Sequence, residues 1–256
     1  MISDLLPGTG SSRLKLHRLA ELADVVLQPG GLAAFLSWRP FDIPSFRLVR
    51  ALRNEGLRFN TIIDGGANKG QFARAATEMY PDAQIIAFEP LPDMADALRR
   101  NLEDRPQVKV MQSALGSREG TIDFYRHRHT VASSALKPIA RERPDDVRPI
   151  EVPVCRLDNA LQQILLRPPI LLKLDLQGFE IEALRGAVEA LSKMDYVLVE
   201  TSFVPLYAGE PDFVDVLDYM RGAGFSFLRP VDMLRDERGG IVQMDALFAQ
   251  SYAAAA

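Results

Sequence analysis

The sequence predicts an α/β protein: a three-layer sandwich in which an open, mostly parallel sheet lies between helices. Three observations predict it. Short apolar runs at residues 60–63, 84–88, 108–112, 170–174 and 196–199 recur with helix-period segments between them, the alternation that a parallel sheet requires. Four of those runs end in an acidic residue, Asp64, Glu89, Asp175 or Glu200, and ligands collect at that carboxyl edge. The first run passes directly into the turn Gly65-Gly66-Ala67-Asn68-Lys69-Gly70 and then into an amphipathic helix at 71–80. Glycines there let the backbone bend sharply and approach a ligand that a Cβ would hold off.

The elements follow in order. Leu14, Leu16, Leu19, Leu22, Val25 and Val26 sit mostly at helical spacing, and Pro29-Gly30-Gly31 ends that run. A short amphipathic piece at 32–38 follows. Pro40 and Pro44 then break the chain before a helix at 46–55, which stops at Gly56. This extension either covers a face or edge of the sheet or forms a lid, with Trp38 as its contact. Beyond the strand at 84–88 and Glu89-Pro90 come a helix at 93–101, a strand at 108–112 and a turn at 116–120. Residues 121–126 alternate like an exposed strand, and 151–157 alternate again, an antiparallel partner for it. The polar stretch 127–149, with Pro138, Pro144 and Pro149, is long for a connection and overlies the site or moves. Asp158 caps a helix at 159–166. Then follow the strand at 170–174, a helix at 179–190, the strand at 196–199 ending in Glu200-Thr201-Ser202, and a helix at 213–222. Two short strands at 225–228 and 246–249 flank a charged turn at 232–240, and 253–256 reads as a tail.

Composition limits the function classes. A chain of 256 residues, 47% hydrophobic and 25% charged, is sized for one α/β domain with a large core. The only cysteine, Cys155, leaves no intramolecular disulfide and no zinc cluster. No apolar run approaches membrane-spanning length, and the N-terminus lacks a secretion pattern, so the expected location is cytoplasmic. Net charge is −4; the first 60 residues carry 8 basic and 5 acidic groups, too mild an asymmetry for a nucleic-acid partner.

Charge also selects the ligand of the glycine turn. Asp64 at the strand tip repels a pyrophosphate but suits a ligand carrying cationic groups. Gly65, Ala67 and Gly70 place Ala in the middle of the dinucleotide spacing, and no Gly-Lys-Ser/Thr follows, which excludes a P-loop. S-adenosylmethionine, with an ammonium, a sulfonium and no phosphate, fits better.

Asp64, Gly66 and Gly70 resemble the first motif of class I methyltransferases. With Ile62-Ile63-Asp64-Gly65-Gly66-Ala67-Asn68-Lys69-Gly70, Ala87-Phe88-Glu89-Pro90 and Leu172-Lys173-Leu174-Asp175-Leu176-Gln177-Gly178-Phe179-Glu180, residues 58 to 250 resemble the FkbM family, which methylates mainly oxygens of sugars, glycolipids and polyketides. The resemblance implies a seven-stranded sheet of order 3-2-1-4-5-7-6 in a domain at 59–252, behind an N-terminal helical extension at 1–58. It implies S-adenosylmethionine as cofactor and S-adenosylhomocysteine as product. The cofactor residues it implies are Asp64, Gly65, Gly66, Ala67, Asn68, Gly70, Glu89 on the ribose hydroxyls, Pro90, Ser113 and Ala114 near the adenine, and Asp175. Ser133 and Ser134 resemble a serine pair of the family. The acceptor it implies is a small molecule, glycan or glycolipid.

Displacement at a sulfonium is in-line, so a hydroxyl acceptor must be aligned and gains from a base. The candidates are Asp175, then Glu200, His127 and His129. Asp175 and Glu200 end neighbouring strands and would act as base and orienter, or hold a divalent ion. Asp175 alternatively caps the helix near Gly178, and the histidines are alternatively solvated or part of a metal site. Lys173 shares a face with Asp175 and could pair with a core carboxylate. Gln177 departs from the Glu of many relatives, which removes one potential base or ligand. Two rivals stay open: a nicotinamide oxidoreductase, against which stands the lack of a Tyr-x-x-x-Lys set, and a non-catalytic binding fold. N-methylation also stays open.

Overall fold

Strict alternation along the central strands builds the layers. The computed structural model describes residues 22, 23, 25–28, 30–139, 146–236 and 238–251. From residue 31 the chain runs α1 (Gly31–Ser37), α2 (Ile43–Asn54), β1 (Thr61–Gly65), α3 (Gln71–Met79), β2 (Gln84–Phe88), α4 (Pro92–Asn101) and β3 (Val108–Met111). Next come β4 (Ala114–Leu115), β5 (Gly120–His127), a 3₁₀ turn (Thr130–Ala132), β6 (Val147–Cys155), α5 (Leu157–Ala160) and β7 (Ile170–Leu174). The rest is α6 (Glu180–Arg185), α7 (Val188–Leu191), β8 (Tyr196–Ser202), α8 (Phe213–Gly222), β9 (Phe225–Arg235) and β10 (Ile241–Gln250).

The main sheet has the order β3-β2-β1-β7-β8-β10-β9, in which only β10 runs antiparallel to its neighbours. That is the expected 3-2-1-4-5-7-6 arrangement. Ile62, Ile85, Leu171, Leu198 and Leu247 point to one side, against Leu48, Val49 and Leu52 of α2 and Phe72 and Ala76 of α3. Ile63, Ile86, Leu172, Val197 and Phe248 point to the other, against Leu157, Ile181, Leu184, Val216 and Met220. Each fully buried side chain of this size contributes about 1.5–3 kcal/mol. The N-terminal helix α2 thus covers the sheet, and Trp38 packs on Phe41 and Phe46.

A second sheet, β4-β6-β5, holds the predicted antiparallel pair, with Thr121 opposite Pro153 and Arg126 opposite Arg148. Several boundaries differ from expectation. Pro44 lies inside the first turn of α2, where a missing N–H costs nothing, and Asp42 caps that helix through Ser45 N at 3.0 Å. The predicted helix at 159–166 is one turn. Asp158 caps a different element: its Oδ1 accepts from Glu189 N at 3.0 Å and Ala190 N at 2.8 Å, holding α7. The predicted helix at 179–190 divides at Gly186, where a Cβ would lie 1.9 Å from the Gly116 carbonyl. The terminal strands are ten and eleven residues long, so the hairpin turn shrinks to 236–240. The predicted run at 14–26 lies mostly outside the described residues, as do the stretch 140–145 and the tail 253–256.

Candidate active site

The glycine turn is shaped by what it touches. Gly66 has φ +80°, and a Cβ there would stand 2.0 Å from the Asp175 carbonyl. Gly70 starts α3 at φ +89°, where a Cβ would meet Leu98 at 2.4 Å. Asn68 holds the left-handed region without being glycine, at φ 48°. The N–H groups of the turn are spent within the chain. Gly66 and Ala67 donate to Phe88 O at 3.1 and 2.9 Å, Asn68 donates to Glu89 Oε2 at 2.8 Å, and Gly70 donates to Ala67 O at 2.8 Å. A phosphate-binding loop needs such groups free. This turn therefore suits a ligand without phosphate.

Glu89 stands at the tip of β2, 4% exposed, its Oε2 on Asn68 N and its Oε1 on Leu91 N at 2.8 Å. Burial, partly offset by these two backbone donors, pushes its carboxyl up to about 7. A carboxylate offers about four lone-pair positions, so two remain for a diol. Pro90 follows in the same turn. Ser113 bonds to Ala114 O and Pro153 O, where the second sheet meets the end of β3. Thr130, from the turn after β5, reaches Asn68 Nδ2 at 3.1 Å, so the long connection does overlie the glycine turn.

Asp64 has no exposed surface; the Lys173 ammonium lies 3.1 Å from its Oδ1 and 3.5 Å from Asp175 Oδ2. At that separation the Lys173 ammonium and the Asp64 carboxylate form a buried ion pair. Burial opposes the charge on Lys173, yet Asp64 and Asp175 outweigh it and hold the ammonium protonated well above its usual range. The cation facing Asp64 is thus a lysine of the chain itself.

Asp175 and Glu200 do converge. The Gln177 Nε2 donates to Asp175 Oδ1 at 2.9 Å and to Glu200 Oε2 at 2.6 Å. Asp175 remains 36% exposed by side chain, so it faces the opening. Burial first, then the charges of Asp175, Asp245 and Glu180, push Glu200 well above the usual carboxylate range. Asp245 stands beside Glu200 across the β8–β10 ladder and is raised to about 7 by burial. Glu180, raised to about 8 by burial, takes Leu176 N at 2.6 Å and holds the turn that presents Gln177. Sequence reasoning passed over Asp245, Glu180 and Tyr207. Only the register of β10 against β8 pairs Asp245 with Glu200, and Tyr207 arrives from an irregular loop.

The histidines sit elsewhere. His127 is buried and accepts the His129 N–H at 2.9 Å, while His129 is exposed beside Thr130. No contact between His129 and Asp175 or Glu200 is present among the described residues. Ser133 and Ser134 brace loops: Ser133 Oγ takes His127 N, and Ser134 Oγ donates to Gln177 O at 2.7 Å. Among the described residues, no three His, Cys, Asp or Glu side chains are placed to hold a metal ion, and no helix is long and apolar enough to cross a membrane. A cleft of about 590 Å³ opens nearby, but its walls include Gly178 and Glu210 and none of Asp64, Glu89, Asp175 or Glu200.

This topology, with a glycine turn after β1, an acid after β2 and an acid after β7, defines a class I methyltransferase architecture. Residues 64–227 match the model of the methyltransferase FkbM domain, and the chain belongs to that family of S-adenosylmethionine-dependent methyltransferases. Family membership removes the oxidoreductase reading. The 2-O-methyltransferase NoeI of Sinorhizobium fredii is 29% identical over 62% of this chain and 70% of its own. The hexuronic acid methyltransferase AglP of Haloferax volcanii is 27% identical over 64% of this chain and 65% of its own. The 31-O-demethyl-FK506 methyltransferase FkbM of Streptomyces tacrolimicus is 26% identical over 68% and 76%. Among solved structures, magnesium protoporphyrin IX methyltransferase from Synechocystis PCC 6803 is 10% identical, with a TM-score of 0.48 over 82% of this chain and 81% of its own.

Proposed function

We propose that this chain, through a domain at 59–252, transfers the methyl group of S-adenosylmethionine to a hydroxyl of a sugar, glycolipid or polyketide-type molecule. The observation that carries the reading is the acid pair at the ends of β7 and β8, Asp175 and Glu200, beside a glycine turn whose N–H groups are already used. The fit to the donor is good. Gly65, Gly66, Ala67, Asn68 and Gly70 form a close-approach wall, and Glu89 keeps acceptor positions for the ribose diol. Pro90, Ser113 and Ala114 would hold the adenine. The bound cofactor supplies a methyl group on a positively charged sulfur, and every other contribution comes from the chain.

A nitrogen nucleophile needs little help from a base, whereas a hydroxyl must lose a proton as it attacks. The partly exposed Asp175 carboxylate would take that proton, with Lys173 on Oδ2 and Gln177 on Oδ1 holding its orientation. Burial and acidic neighbours push the Glu200 carboxyl well above the usual carboxylate range, which disfavours a second charge in the cleft. The 2-O-methyltransferase NoeI and the hexuronic acid methyltransferase AglP, as relatives, support a carbohydrate hydroxyl for this chain.

Calorimetry with S-adenosylmethionine, S-adenosylhomocysteine and NAD tests the donor site. Both adenosyl ligands are expected to bind and NAD is not. Glu89→Ala is expected to weaken binding ~10–100-fold, the worth of a charged hydrogen bond. Label transfer from methyl-labelled donor to a panel of uronic acids, amino sugars and polyketide alcohols tests the acceptor. Transfer to nitrogen alone would overturn the hydroxyl reading.

A further inference from the structure

We infer that Gln177, clamped by Tyr207, is a positioning residue: its carboxamide spans the two acids and sets which carboxyl group meets the acceptor. The inference rests on the reading of Asp175 as base. Both N–H groups of one amide are used, one on Asp175 Oδ1 at 2.9 Å and one on Glu200 Oε2 at 2.6 Å. The Tyr207 hydroxyl donates to Gln177 Oε1 at 2.9 Å and lies 3.0 Å from the Ala132 carbonyl. This orientation of the amide pairs both N–H groups with carboxyl oxygens and leaves Oε1 to the Tyr207 hydroxyl.

The backbone repeats the message. Gln177 is 4% exposed and holds φ 55°, a left-handed conformation that a long side chain seldom adopts. Such strain persists where surroundings over-determine it, and it concentrates at functional sites. Here Ser134 Oγ takes hold of the Gln177 carbonyl, and Glu180 fastens the flanking Leu176 and Gly178 amides. Tyr207 is fixed in turn by Glu210, whose carboxylate accepts from Leu206 N at 2.6 Å and Tyr207 N at 3.0 Å. Asp175, Glu200 and Tyr207 thus meet at one neutral amide, while Ser134 holds its backbone.

The charge around the pair explains why an amide stands there. Lys173 from β7 is the one cation bonded to it among the described residues, against Asp64, Asp175, Glu180, Glu200 and Asp245, with Glu210 behind Tyr207. Two carboxyl groups this close repel when both are ionised. A bridging donor offsets that repulsion without adding charge. It also keeps Glu200 turned back toward the chain, leaving the exposed edge of Asp175 to the acceptor.

The test is a ¹³C NMR titration of the full chain, saturated with S-adenosylhomocysteine and labelled at Asp Cγ and Glu Cδ. Asp175→Asn and Glu200→Gln assign the signals. In Gln177→Met, which keeps the length and loses both donors, the Glu200 titration is expected to move up by about 1–2 pH units. Tyr207→Phe, which only frees the amide to turn, should move it the same way by less. The Glu89 signal should stay in place. An unmoved Glu200 titration in a folded Gln177→Met protein would reduce Gln177 to a loop brace and overturn the inference. If that variant fails to fold, Tyr207→Phe decides by the same criterion. Failure of the wild-type chain to bind S-adenosylhomocysteine would instead strike the donor reading, and the clamp would still be read from the ligand-free titration.

Discussion

Asp175 and Glu200 look alike in sequence, each an acid ending an apolar run, and the structure separates them. Asp175 reaches the opening with Lys173 and Gln177 on its flanks, while Glu200 sits buried among acids that raise its carboxyl. Asp175→Asn should therefore lower the rate of methyl transfer ~10²–10⁴-fold with little change in donor affinity, measured by single-turnover label transfer and calorimetry together. Loss of donor binding in that variant would move Asp175 from base to cofactor ligand. Asp64 shows the limit of charge reasoning on a linear chain. Its place near the tip of β1 suggested a cationic ligand, but the cation it faces is Lys173, 109 positions downstream, brought in by the pairing of β1 with β7.

Secondary elements here are held by tertiary partners more than by local signals. Asp158 follows a strand and precedes apolar residues, so it looks like the cap of its own helix. Instead it caps α7, and Arg156 holds its second oxygen at 2.8 Å. Asp158→Ala leaves two N–H groups of α7, that of Ala190 buried, without an acceptor and should cost about 1–3 kcal/mol, read from urea unfolding. Asp158→Asn, which keeps an acceptor, should recover part of it. An effect no larger than that of an exposed Asp236→Ala control would show that water replaces the carboxylate freely. Gly186, in the middle of an otherwise helical pattern, likewise ends α6 because the Gly116 backbone passes against it.

The molecule as a whole buries several carboxyl groups at the edge where it would bind its ligands. Glu89 and Asp245 are raised to about 7 and Glu180 to about 8, each chiefly by burial, and Glu200 is raised as well. Between the ordinary carboxylate range and those values the folded chain holds protons that the unfolded chain has released. Stability is therefore highest on the acid side and falls as pH rises through about 7 to 8. The melting temperature should drop between pH ~6 and ~8.5, by roughly 2–4 °C for each kcal/mol lost. A flat or rising profile across that window would mean that water relaxes these groups. Saturating S-adenosylhomocysteine should raise the melting temperature throughout, since a ligand that binds only the folded state stabilises it.

Periodicity and punctuation carried most of the architecture. The strand runs, the glycine turn and the acids at 64, 89, 175 and 200 were all legible, because a parallel strand buried on both faces must be apolar until it emerges at the ligand edge. The closing hairpin was legible too, though its strands proved more than twice as long, since the edge strand β9 carries polar residues along its length. The pairing of Asp64 with Lys173, the third acid Asp245 and the Tyr207–Gln177 clamp were decided only by the tertiary structure. Each joins residues dozens of positions apart, and contacts of that kind follow from sheet register and loop closure, which leave no periodic trace in the residues themselves.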